Sequence, residues 1–178
     1  DSTLVVKWIN GLWPAFNPNL RWRVHDIIDK LHKAHEHHVF VPRLPYVDWL
    51  RWTPRELNNS ADDLTKIAAA RPNGEHHFEP ISSAKGIKDA KFLRIEFDGR
   101  FVESFRHIGV GWRLLIAYAI DDQDFPRFSV ACLFWSSMAG LSAAESEIVS
   151  CHSAVRFLYS VFVDGTDHVD VDFRRLCE

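Results

Sequence analysis

No apolar run in this sequence is long enough to cross a bilayer. The longest, Phe128 to Leu141, is interrupted by serines and falls well short of the roughly 20 residues a spanning helix needs, so no membrane span is expected. There is no CxxC pair either. Cys132, Cys151 and Cys177 are odd in number and far apart, which argues against a disulfide framework or a zinc site and for a reducing, intracellular compartment. Positive charge is not in excess. A net charge of −3 and a pI near 6.4 are not the footprint of a protein that grips nucleic acid by bulk electrostatics, and count against tight polynucleotide binding. They do not exclude a nuclease, whose clustered acidic ligands lower net charge while a separate basic face holds phosphates. An initial Met and a charged-then-apolar leader are also missing, and the opening at Asp1 reads as a processed chain, an excised fragment or a partial one.

What is present is ordinary globular material: 47% hydrophobic and 25% charged residues in 178, which suits a single domain spanning 1–178. Asp1 and Ser2 offer an N-cap pair ahead of Leu4, Val5, Trp8 and Ile9 on one helical face, and Gly11 stops that run. Leu20, Val24, Ile27, Ile28 and Leu31 recur at three- and four-residue spacing, giving a second amphipathic helix to about His35. Val39 to Val47, with Pro42 and Pro45, reads as a loop or edge ribbon, Val47 to Trp52 as a short strand, and Asn58 to Ala70 as a helix. Residues 71–89 carry the Gly, Pro and Ser of a connector. Beyond them Lys91 to Phe97, Gly109 to Ala119 and Arg127 to Ser136 read as an antiparallel meander, with DGR and DDQDFP as turns. Ser142 starts a helix to about Val161, and His168 to Phe173 alternates as a terminal strand.

Acidic residues recur at fixed places in these elements. FLRIEFDGRF followed by GVGWRLLIAYA sets Asp98 at the end of one apolar strand and before another. AAESEIVSCHSAV is a helix with acids at its start and alternating large and small residues, and it carries Glu147. WTPRELNNSADDLTKIA leads through PRE into N-x-x-A-D-x-L, with Asp62 on the motif aspartate and Asp63 beside it. DSTLVVKWINGLW opens a helix on Asp1, and HVDVDF ends on Asp172 and Phe173, before Arg174 and Arg175.

Together these segments resemble ribonuclease H, of the RNase HI-like type of plants and retroelements, with its halves in reversed order. Residues 1–70 resemble the C-terminal half, 71–89 a linker, and 90–178 the N-terminal half, as a circular permutation would leave them. The resemblance implies an α/β fold of the mixed α+β kind, a five-stranded mixed sheet flanked by helices in permuted order. It implies Asp98, Glu147 and Asp62 as catalytic, metal-binding residues, with Asp1 and Asp172 competing for a fourth place; Glu147 fits the family's spacing better than Glu145. The implied cofactor is a pair of Mg2+ ions, or Mn2+, about 3.5–4 Å apart, one activating water and the other stabilising the leaving oxygen. The implied activity is endonucleolytic cleavage of the RNA strand of an RNA–DNA hybrid, with 2'-OH contacts selecting RNA. Function does not follow from fold alone. The alternative is a catalytically inactive module of the same fold, a structural or interaction subunit of a larger complex. The histidine that many family members carry before the last helix is missing, and Arg55 and Glu56 stand in the segment Thr53 to Asn58 instead.

Each residue also has a plainer reading. Asp98 suits a turn, Glu147 a helix start favoured by the macrodipole, and Asp62 and Asp63 a solvated face. His32, His35, His37 and His38 have HxxH spacing but no partner spaced to complete a zinc site, so they read as a solvated helix end. Trp8, Trp13, Trp22, Trp49, Trp52, Trp112 and Trp135 read mostly as core or interface residues rather than base-stacking ones. Lys7, Arg21, Arg23, Arg51 and Arg55 read as solvated charges rather than a phosphate-contacting face.

Overall fold

Helical periodicity gathers at the two ends of the sequence and strand periodicity between them. The computed structural model, which describes residues 2–36, 50–120, 125–168 and 170–177, packs these stretches into layers. In chain order the elements are α1 (Thr3–Ile9), α2 (Pro18–Glu36), α3 (Asn59–Ala69), β1 (His76–Pro80), α4 (Ala84–Lys88), β2 (Phe92–Val102), β3 (His107–Ala117), β4 (Ser129–Ala139), α5 (Ala143–Phe162) and α6 (Phe173–Leu176). The four strands form one antiparallel sheet in the order β1-β4-β3-β2.

The helix starts follow from their caps. Ser2 accepts a hydrogen bond from the Val5 amide at the head of α1, and Ser142 accepts one from the Glu145 amide at the head of α5. The meander is present, but DGR is not a turn. β2 runs through it because Asp98 pairs with Gly111 and Gly99 with Val110, and the reversal comes at Glu103–Phe105, closed by Arg106 in the left-handed region at φ 46°.

Three other readings are corrected. The supposed connector holds β1 and α4, because β4 lends HHFEP its hydrogen bonds and Phe78 anchors it inward. His168–Phe173 is not a strand among the described residues: the chain turns into α6, and Phe173 stacks on Phe78 at 4.1 Å, aromatic burial outweighing a weak alternation. Residues 50–52 are not in a strand, and Val39 to Trp49 lie outside the described residues. The two parallel strands expected beside the meander are therefore not among the described residues.

Two glycine contacts set the layers. At Gly111 a Cβ would press on Leu64 and Thr65, so α3 lies directly on that face of β3. At Gly99, one residue past Asp98 and thus on the opposite face, a Cβ would overlap the Ser146 carbonyl and the Glu147 amide, so α5 lies directly on β2. The main core, including Trp112, Phe134 and Phe157, fills the space between the sheet and α5. A second core joins α5 to α1 and α2 through Val5, Ile9, Ile27, Ile148 and Cys151.

Gly99→Ala is expected to destabilise the fold by about 2 kcal/mol or more, since backbone rather than a movable side chain meets the added methyl. Urea denaturation checks this; an unchanged midpoint would refute the contact.

A buried polar clasp also joins α2 to α5. His152 Nδ1 accepts from Arg23 at 3.0 Å, which leaves the ring proton on Nε2 to be donated to Asp26 at 2.6 Å. Burial lowers the His152 pKa, while the His152 hydrogen bond holds Asp26 far below the usual carboxylate range. Arg23 also donates to the Cys177 carbonyl. It is a structural tie rather than a solvated charge, while Arg21, though exposed, donates to the carbonyls of Ala15 and Phe16.

Candidate active site

β2, α3 and α5 each contribute one carboxylate. Asp98 shares its sheet face with its partner Gly111, so it lies on the side that α3 covers. Asn58, immediately before α3, donates from Nδ2 to the Phe97 carbonyl at 3.0 Å and ties the helix start to the residue preceding Asp98. From the other face, the Ser150 hydroxyl of α5 shares its proton between the carbonyls of Asp98 and Gly111 and accepts from the Gly111 amide. The Gly99 contact sets Glu147 beside the same stretch of β2.

Asp98 and Glu147 each have a pKa shifted by burial and by another acid of the group. Burial raises the pKa of Asp98, which is 3% exposed, and the charge of Asp62 raises it further. Burial, then the charge and hydrogen bond of Asp98, push Glu147 up to about 8. Glu147 Oε2 is buried and makes no hydrogen bond. Asp62 is different: although burial opposes it, Lys66 and Arg55 lower its pKa, with Arg55 2.9 Å from Oδ1 and Lys66 2.7 Å from Oδ2. Arg55 also feels Asp98 and Glu147, so one guanidinium lies within the field of all three acids.

Among the described residues the other candidate acids do not join them. Asp172 is 57% exposed and pairs with Arg175 at the head of α6, which packs on α5 and β1, at the sheet edge opposite β2. Asp1 lies outside the described residues. Glu145 accepts from the Leu141 amide at 2.6 Å and caps α5, while Asp63 is exposed and pairs with Lys66. His32 is exposed and His35 half-buried on α2, and His37 and His38 lie outside the described residues.

No protein-family model, curated protein or solved structure matches the chain. The site therefore stands on its own chemistry. Among the described residues no group of three or more His, Cys, Asp or Glu side chains is arranged to hold a metal ion. The Asp98–Glu147 pair has the donors for one hard cation, since both are oxygen ligands, they repel each other when charged, and Glu147 Oε2 lacks a partner. Asp62 does not complete a second seat, because both its oxygens face the chain's own cations.

Sequence reasoning missed Arg55 and Lys66 as members of this cluster and gave no role to Asn58 or Ser150. The advance signals were Asn58 in N-x-x-A-D and Arg55 in the PRE segment before it. Trp8 and Trp112 are in the core, but Trp13, Trp22 and Trp52 are about half exposed. Trp13 has Lys7 stacked 3.7 Å from its ring and, with Trp8, Phe16 and Arg21, lines a hollow of about 410 Å3 to which none of the clustered acids contributes. The three cysteines are free and buried, and burial pushes Cys132 up to about 12 and Cys177 up to about 11.

Proposed function

We propose that the chain is a divalent-cation-dependent endonuclease of the ribonuclease H type that cleaves the RNA strand of RNA–DNA hybrids. The carrying observation is the pair Asp98 and Glu147, 49 positions apart in sequence, each with its pKa raised by burial and by a neighbouring acid, with Asp62 brought to it from α3. Three acids crowded out of water are costly unless a cation or a proton compensates them. In this reading the four antiparallel strands belong to a ribonuclease H-like sheet in permuted order, with further strands beyond β2. Asp98 and Glu147 would hold Mg2+ or Mn2+, which when bound supplies charge stabilisation for the phosphate and an activated water. Arg55 and Lys66, both at least half exposed beside the acids, would contact phosphate oxygens in this reading.

A second reading, a catalytically inactive module that docks other proteins, is favoured by Leu12, Trp13, Phe16 and Trp22, all exposed around the α1–α2 junction. Incubation of the intact chain with Mg2+ and labelled RNA–DNA hybrid, RNA duplex and DNA duplex separates the two. The enzyme reading expects cleavage of the hybrid's RNA strand alone, and a hybrid left intact sinks it.

A further inference from the structure

One stretch of this acidic chain carries no acid. Residues 2–25 hold Lys7, Arg21 and Arg23 but no Asp or Glu, in a chain whose net charge is −3, and the first acid beyond them, Asp26, is taken up by His152 and Lys30. The same stretch exposes apolar side chains. Leu12 is 66% and Phe16 78% exposed on the loop between α1 and α2, with Trp13 on that loop and Trp22 in the first turns of α2 about half exposed. On a slack loop they would settle inward. Here the backbone holds them out, because the Leu12 and Trp13 amides donate to the Lys7 carbonyl and Arg21 donates to the carbonyls of Ala15 at 2.9 Å and Phe16 at 3.3 Å. We propose that this braced tip docks the protein on an anionic membrane surface, Leu12 and Phe16 entering the lipid and Lys7 and Arg21 meeting the headgroups. The proposal goes beyond the readings above and does not depend on what the clustered acids do.

Nucleic acid, an acidic protein and an anionic bilayer all complement a positive, apolar tip, and three observations select the bilayer. The first is what already covers the rings. Lys7 Nζ lies 3.7 Å from the Trp13 ring and the Arg23 guanidinium 4.4 Å from that of Trp22, so each indole has a cation where a base would stack. Leu12 has no ring to offer a base. The second is that the loop can leave water cheaply, since the carbonyls of Lys7, Trp8, Ala15, Phe16 and Asn17 all accept hydrogen bonds within the chain. The third is the mixture itself. Apolar tips flanked by tryptophans and by cations on long stems match the layers of a bilayer boundary, where indoles sit at headgroup level and ammonium and guanidinium groups reach outward. Each cation near an anionic surface strengthens binding by about fivefold, and burying an exposed phenyl ring by about tenfold or more.

The test is flotation of the intact chain with vesicles of phosphatidylcholine and phosphatidylserine, beside vesicles of phosphatidylcholine alone. Wild type is expected to float with the anionic vesicles, to stay down with the neutral ones, and to bind less as salt screens the charge. Phe16→Ser, at a largely exposed position, should weaken binding by about tenfold, and the L12S F16S variant should abolish it. A blue shift of tryptophan emission on adding the anionic vesicles reads the same contact in wild type, and so serves if the double variant fails to fold. Wild type that does not float, that floats equally with neutral vesicles, or that is matched by a folded L12S F16S variant overturns the proposal. So does a wild type that ignores vesicles but binds polyglutamate or RNA–DNA hybrid through Leu12 and Phe16, which would make the partner an acidic protein or a nucleic acid. Cleavage of hybrid by the intact chain is a separate measurement, and its failure leaves the membrane contact standing.

Discussion

Asp98→Asn is expected to abolish hybrid cleavage and, in the same protein, to raise the melting temperature measured without metal. The activity loss should be at least about 100-fold, the lower end of what removing a charge-stabilising group from a water-poor site costs. The stability gain has a separate cause. Burial and the charge of Asp62 make the ionised form of Asp98 unfavourable in the folded chain, and Glu147 pays part of the same cost beside it. An amide keeps the shape and removes the charge, so the apo fold should gain at neutral pH, by ~3 °C for each kcal/mol in a chain of this size. Calorimetry with and without Mg2+ reads both halves: the variant should melt higher without metal and gain less from adding it. A variant that loses both activity and stability would make Asp98 a packing residue.

Stability of the metal-free chain should fall as pH rises from about 4.5 to about 8 and then level, as far as Glu147 is concerned. The ordinary value for that carboxyl is 4.5, and the fold pushes it up to about 8. A raised pKa means that the folded state holds the proton where the unfolded chain has released it, so the contribution is fully present below the unfolded value and is lost as pH climbs through the folded one. The slope contributed by one such group approaches about 1.4 kcal/mol per pH unit inside that window. Glu147→Gln removes the window, and its urea midpoint should change less with pH across it. Asp26, held low by His152, acts oppositely and only in acid, so it does not obscure the test. Divalent cation binding at pH 7 should release a proton in wild type and none at this position in Glu147→Gln.

The legible parts of the fold were those whose pattern is complete within one element. α2 carries Leu20, Val24, Ile27 and Leu31 to the second core at the expected spacing, and α5 begins at its capping Ser142. β2 and β3 lie where apolar runs placed them, though β2 continues through DGR. β1 was hidden because four of its five residues are exposed and its hydrogen bonds come from β4, 52 or more positions away. α6 was hidden because the burial of Phe173 depends on Phe78 and Phe134, on separate strands. Which tryptophans are core and which exposed was hidden for the same reason, since the exposure of Trp13 and Trp22 is set by how α1 meets α2.

The sequence by itself determined four helices, the meander and the three acids worth following, because periodicity, caps and local motifs depend on residues within one or two turns of each other. Only the tertiary structure decided that Asp98, Glu147 and Asp62 belong together and Asp172 does not. That outcome turns on the approach of α3 at Gly111 and α5 at Gly99, and on α6 docking at the far edge of the sheet. It also decided that Asp62 is the acid paired directly with Arg55 and Lys66. Side-chain spacing along a chain fixes which face a residue occupies, whereas the charge opposite it is set by packing between elements distant in sequence.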